Sequence, residues 1–169
     1  MSRRDDASTA SPAAVPSTSK GGDQKKKKPF RERYSLEKRQ RESKQIKDKY
    51  PDRFVLIVET DDDSIGLKQN KFLVPREIVR REPAVAAESG SKGKKIREPT
   101  TLGHFMIQIR KRCSGTLSAE KALFYFVESP NGVGKEIAPA TALLQQLVSR
   151  HENEDGFLYI EVTQESTFG

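Results

Sequence analysis

Lys47 to Glu59 reads KDKYPDRFVLIVE, and the fold is decided where its charged helical first half gives way, at Tyr50-Pro51-Asp52, to the apolar run Phe54 to Val58. Pro51 cannot extend a helix and pushes Tyr50 toward extended backbone, so the helix must end there. Five successive apolar residues, aromatic or β-branched for the most part, predict a strand buried on both faces and set in the middle of its sheet.

Upstream, Ser35 is placed as the N-cap of a helix running to Tyr50, built from good helix formers with opposite charges four apart at Glu37/Arg41 and Lys38/Glu42. Its apolar face is thin, Leu36, Ile46 and Tyr50 with Phe30 just before them, which predicts a helix on the surface of the domain. Downstream, Thr60 to Gln69 is an acidic turn and Lys71 to Val74 a second strand ended by Pro75, so the two strands form a hairpin. Residues 79–99, polar and rich in Gly, Ala and Lys, read as a long mobile insert. Thr101 is a second N-cap, followed by Leu102, Phe105, Met106 and Ile109 on one helical face and Arg110-Lys111-Arg112 in the last turn. Ala122 to Val127 is a further continuous apolar run, and Phe157 to Val162 is apolar but for Glu161; both are read as interior strands, with a helical period through Leu143, Leu144, Leu147 and Val148 between them.

Composition limits what the chain can be. With 169 residues, 34% hydrophobic and 33% charged, it supports one modest core. The single Cys113 excludes an internal disulfide and a Cys-rich zinc site, and is read as an inert thiol, since no motif around it would activate a nucleophile. No apolar run approaches the roughly 18 residues of a membrane span, and the N-terminus has no apolar secretory block, so a cytoplasmic protein is expected. Asp61 to Asp63 lack the spacing of a Ca²⁺ loop, and no metal, cofactor or catalytic centre is assigned. The net charge of +7 is local: residues 25–49 carry twelve basic and four acidic side chains, whereas residues 50–169 are nearly balanced. That basic segment reads either as a solvated helix face or as an arm for phosphate, anionic lipid or an acidic protein. No aromatic residues interleave the lysines, so specific nucleic-acid readout is not expected.

A hairpin, a helix across it and strands returning to the same sheet give an α+β layer. The β-grasp roll satisfies that order, as a mixed four-stranded sheet with an N-terminal surface helix. Its first and last strands lie parallel at the centre, which accounts for the apolar runs Phe54 to Val58 and, but for Glu161, Phe157 to Val162. In this order the chain resembles the ubiquitin-like modifiers of autophagy, the family of the GABA-receptor-associated protein and the microtubule-associated light chains. The resemblance rests on Pro29-Phe30, Glu37-Lys38-Arg39, Lys49 to Arg53, Ile57-Val58-Glu59, Leu73-Val74-Pro75, Ile109 to Arg112, Ala122-Leu123-Phe124, Phe157 to Ile160 and Glu165-Ser166. The resemblance implies a ubiquitin-like domain over 29–169 with a flexible tail at 163–169, while composition, polar with almost nothing to bury, sets a disordered extension over residues 1–28 before it and the mobile insert at 79–99 within it.

The resemblance further implies that chemistry is done to this protein and not by it. Gly169 would be adenylated by an activating enzyme, passed as a thioester to a conjugating-enzyme cysteine and joined to phosphatidylethanolamine, with a deconjugating cysteine protease to reverse the step. The conjugated protein would sit on the autophagosome membrane. It would also dock receptors and adaptors carrying aromatic-x-x-aliphatic peptides, added as a strand beside the second strand. The aromatic pocket would use Glu42, Ile46, Val55, Ile57, Lys71, Leu73 and Phe157, the aliphatic pocket Phe72, Val74, Pro75, Ile78 and Phe105. Arg53 would meet acidic residues flanking the peptide. From the residues alone, Ile57, Leu73 and Phe105 read as core or scattered surface apolars. Against the family pattern, Gln108 replaces an apolar residue and the insert follows Ile78 directly. An alternative is a non-conjugated β-grasp adaptor that holds tubulin or an anionic surface through its basic helix.

Overall fold

The computed structural model describes residues 28–82, 94–113, 117, 121–129 and 133–165. β1 (Arg53–Glu59) is buried from Phe54 through Val58, as an apolar run flanked by strands on both sides requires. It pairs antiparallel with β2 (Lys71–Pro75), Arg53 opposite Pro75 and Ile57 opposite Lys71, and parallel with β7 (Leu158–Gln164), Leu56 opposite Leu158 and Glu59 opposite Glu161. β5 (Leu123–Glu128) pairs antiparallel with β7 and with β6 (Lys135–Ile137), giving the order β2-β1-β7-β5-β6. The predicted parallel centre is therefore present. The sheet has five strands and not four, because every residue of β6 is exposed and the strand carries no hydrophobic signal.

Alternation along the strands separates two clusters. On one face Phe54, Leu56, Val58, Phe72, Val74, Tyr125, Val127, Leu158 and Ile160 pack beneath α3 (Leu102–Cys113) and α4 (Leu144–His151). On the other, Val55, Ile57, Phe157 and Tyr159 pack against Phe30 of α1 (Phe30–Arg33) and Ile46 of α2 (Leu36–Lys49). Thr101 caps α3 as expected: the His104 amide donates to Thr101 Oγ1 at 3.3 Å, and the Thr101 amide donates to His104 Nδ1 at 3.2 Å. Cys113 is fully buried, and burial pushes its thiol up, away from the reactive thiolate. β5 is buried on one side only, Tyr125 and Val127, while Phe124 is 39% exposed, so the run read as buried on both faces alternates.

Two further expectations are corrected. The segment read as a long loop, residues 79–99, ends in paired strands: β3 (Glu77–Arg81) and β4 (Lys95–Pro99) form an antiparallel ribbon with Val79 opposite Arg97 and Arg81 opposite Lys95. Only Ile78, Val79 and Ile96 are β-branched; apart from Pro99 the remaining residues are charged, and the pairing rests on main-chain bonds and on Arg80–Glu98 and Arg97–Glu77 contacts at 3.9 Å. Its middle, 83–93, lies outside the described residues, as do 1–27 of the expected disordered extension. Thr163 and Gln164, assigned to the tail, belong to β7, and Gly169 lies outside the described residues.

Secondly, α2 is held by polar groups more than by its thin apolar stripe. Arg39 and Ser43 are its buried residues, whereas Leu36, Ile46 and Tyr50 are half-buried. Arg39 pairs with Asp155, which also accepts from the Tyr159 hydroxyl at 2.7 Å and the Phe157 amide at 3.1 Å. Ser43 Oγ donates to the Gly156 carbonyl at 2.9 Å. Gly156 has φ +79°, and a Cβ there would stand 2.5 Å from Ser43 Oγ, so both turn and approach require glycine.

Candidate functional site

β2 is the edge strand of the sheet, paired with β1 on one side only among the described residues. Because side chains alternate, Lys71 and Leu73 fall on the α2 face and Phe72 and Val74 on the α3 face. An open edge of this kind presents unpaired amides and carbonyls to an incoming strand.

The structure brings the seven aromatic-pocket residues together. Val55, Ile57 and Phe157 form a buried floor, with Ile46 of α2 and Leu73 of β2 half-buried at its walls. Glu42 and Lys71 close one side as an ion pair between α2 and β2. Phe30 also belongs to this cluster: its ring meets Phe157 edge-on at 5.7 Å, and Lys71 Nζ lies 5.3 Å from its centroid. The sequence reading placed Phe30 only as support for α2; its seat in the site depends on its main-chain amide donating to Glu59 Oε1 at 2.5 Å, a contact 29 residues away that no local pattern shows.

The aliphatic set is divided. Phe72, Val74 and Phe105 are core residues, with the Phe72 and Phe105 rings edge-on at 5.5 Å, while Pro75 and Ile78 are half-buried at the rim. The Arg112 guanidinium lies 5.0 Å over the Phe72 ring. Gln108 is exposed on α3. Arg53 is exposed opposite Pro75, with its guanidinium 6.0 Å from the Tyr50 ring.

The basic N-terminal helices are less free than their sequence suggests. Arg31 donates to both oxygens of Glu128, at 2.8 and 2.5 Å, and lies 4.0 Å over the Tyr159 ring. Arg39 is committed to Asp155 and Lys47 to Glu152. Tyr159, desolvated by burial and donating to Asp155, is pushed up to about 12. At the other end of the sheet, Gln164 donates to Asp62 and Ser64, which fixes the point from which the chain leaves β7.

A mixed sheet with parallel central strands, covered by α3 and α4 on one face and partly by α1 and α2 on the other, defines an α+β protein of the ubiquitin-like class. The family described as autophagy protein Atg8, ubiquitin-like, matches residues 92–169. Autophagy-related protein 8 of Schizosaccharomyces pombe is 37% identical over 143 residues, covering 83% of this chain and 93% of that protein. Autophagy-related protein 8d of Arabidopsis thaliana is 34% identical over 142 residues, 83% of this chain. The crystal structure of Trypanosoma brucei ATG8 superposes with a TM-score of 0.60 at 29% identity, covering 83% of this chain and 97% of that one. Plasmodium falciparum Atg8 in complex with Plasmodium falciparum Atg3 peptide shares the fold, with a TM-score of 0.56 at 23% identity over 82% of this chain and 97% of that one. The chain belongs to the Atg8 family of autophagy-related ubiquitin-like proteins.

Proposed function

We propose that this protein is a modifier joined through Gly169 to phosphatidylethanolamine, and that on the membrane it docks aromatic-x-x-aliphatic peptides along β2. The observation that carries the docking reading is parity at the open edge. Residues three apart on a strand point to opposite faces, and the apolar sets beside β2 lie on opposite faces, Leu73 with Ile46 on one and Phe72 and Val74 with Phe105 on the other. A peptide strand hydrogen-bonded to β2 would thus send its aromatic side chain toward α2 and its aliphatic one toward α3. The Atg3 peptide held by the Plasmodium falciparum relative supports a conjugating enzyme among the partners.

Conjugation would proceed at the glycine carboxylate, activated with ATP, carried as a thioester and released to the lipid amine as an amide. Glycine has no β-carbon to obstruct narrow active sites. Among the described residues no helix is long and apolar enough to cross a membrane, and two acyl chains at ~0.8 kcal/mol per buried methylene suffice for stable residence. The protein would then pass from the cytoplasm to the autophagosome membrane. Internal pairing of Arg31, Arg39 and Lys47 removes three cations from the competing adaptor reading, in which the basic helix alone holds tubulin or anionic lipid.

The test is reconstitution with activating and conjugating enzymes, ATP and phosphatidylethanolamine liposomes, read by intact mass. A gain of one lipid less water, lost on deleting Gly169, is expected. No adduct, with enzymes active on another family member, would overturn the modifier reading.

A further inference from the structure

The β3–β4 ribbon hydrogen-bonds as a sheet of its own, separate from the five-stranded sheet. It follows β2 after the single residue Arg76, whose amide donates to the Asp52 carbonyl at 2.9 Å and whose carbonyl accepts from the Thr100 amide at 2.9 Å. Alternation puts Ile78, Arg80, Ile96 and Glu98 on one face and Glu77, Val79, Arg81, Lys95 and Arg97 on the other. On the second face Arg81 stands directly opposite Lys95, Arg97 follows along β4, and Val79 is 60% exposed among them. Among the described residues no carboxylate pairs with Arg81 or Lys95, and Arg97 reaches Glu77 only at 3.9 Å. Like charges directly opposite destabilise a strand pair, and a two-stranded ribbon is marginal already. This arrangement is relieved by an anionic partner.

The position of the ribbon selects the kind of partner. Pro75 lies opposite Arg53, the first residue of β1, whereas β7 runs parallel to β1 and leaves past Glu59 through Gln164. Seven residues of strand at ~3.3 Å each set the ribbon and the tail roughly 20 Å apart, at opposite ends of the sheet. A chain anchored through its tail would therefore turn the ribbon away from its own membrane. A peptide with its aromatic side chain beside Lys71 and its aliphatic one beside Pro75 and Ile78 runs in the direction of β2, so its following residues head for β3. Arg81 is three residues beyond Ile78, about 10 Å. A segment lying along the unpaired edge of β3 meets Arg80 on one face and Arg81 on the other, with Lys95 and Arg97 behind.

We propose that the β3–β4 ribbon is an electrostatic clamp for acidic residues placed about two to five positions after the aliphatic residue of a docked peptide. This rests on the docking reading above and sets which peptides would be preferred.

The test uses the full chain and three labelled peptides sharing one aromatic-x-x-aliphatic core, followed by three glutamates, three glutamines or three lysines, with affinity read by fluorescence anisotropy. On the unmodified protein the glutamate peptide should bind about three- to tenfold more tightly than the glutamine one, the range for two or three rim charge pairs, with the gain shrinking from ~50 to ~500 mM salt. The double variant R81E/K95E replaces one like-charge pair by another, so ribbon repulsion is preserved. It should bind the glutamine peptide unchanged and prefer lysine to glutamate. Equal affinity for the glutamate and glutamine peptides on the unmodified protein would overturn the clamp and leave the docking reading intact; no binding of any peptide would overturn both. A glutamate gain that survives in R81E/K95E would assign it to Arg53 and refute the ribbon's role. So would binding to phosphatidylserine vesicles that R81E/K95E abolishes while peptide preferences stay fixed, which would make the ribbon a lipid surface.

Discussion

Substituting Arg39 by methionine should detach α2 from the sheet energetically without leaving a large void. Arg39 reaches the Asp155 carboxylate, the Tyr159 hydroxyl at 3.3 Å and the Tyr34 carbonyl at 3.2 Å, and Asp155 is 1% exposed. In Arg39→Met the carboxylate keeps two donors, Tyr159 and Phe157, but loses its cation in a site that water does not reach. Removing one member of a buried pair typically costs about 3–5 kcal/mol, and the two remaining donors favour the lower end, about 3 kcal/mol. That is a large part of the roughly 5–15 kcal/mol that holds a domain together. Urea unfolding measures it, with the loss appearing as a lower midpoint at unchanged slope. Hydrogen exchange should quicken across residues 36–49 before it quickens in β1. Adding Asp155→Asn, which keeps an acceptor for Phe157 and removes the charge, should restore most of the loss. A cost below about 1 kcal/mol with no recovery in the double variant would show the pair behaving as a surface ion pair, and the account of how α2 is held would fall.

Burial pushes both Tyr125 and Tyr159 up to about 12 from the ordinary 10, so the folded chain holds two phenolic protons that the unfolded chain releases first. Their stabilisation is complete below pH 10 and is lost as pH rises toward 12, about 2–3 kcal/mol each at 1.36 kcal/mol per unit; urea midpoints between pH 8 and 12 should fall, and Tyr159→Phe should lessen the fall. Within the aromatic set, Leu73→Ala at the half-buried edge should weaken peptide binding roughly tenfold or more with little change in stability. Ile57→Ala, fully buried, should instead lower the unfolding free energy by about 2–5 kcal/mol, and paired titrations and melts separate the two.

What the sequence showed and hid follows from where each signal is stored. Phe54 to Val58 and Phe157 to Ile160 are apolar because β1 and β7 lie side by side in the sheet with both faces covered, so composition alone located the centre. β6 and most of the β3–β4 ribbon are fixed by main-chain pairing with exposed side chains, which leaves little periodicity to read. The residues of the aromatic set lie near one another because β1, β2 and α2 are each legible locally, whereas Phe30 entered through a bond to distant Glu59. Ile57, Leu73 and Phe105 were open between core and pocket in the sequence; the structure buries Ile57 and Phe105 fully and leaves Leu73 half-buried at the edge.

The parallel pairing of β1 with β7 has a consequence for how the chain is made. The two strands are about a hundred residues apart in sequence, and Asp155 and Gly156, which hold Arg39 and Ser43, arrive equally late. During synthesis α2 and β1 emerge early and wait with part of their surface uncovered, since β1 has β2 on one side but neither element has its remaining partners until β7 leaves the ribosome. Contacts of such long sequence separation form slowly because the loop must close before they are made. Folding thus waits for β7, and a nascent chain stopped anywhere before it would expose the Phe54 to Val58 strand to aggregation and proteolysis. Removing residues beyond Gln164 would leave the domain whole; removing five before it would leave β1 without its neighbour.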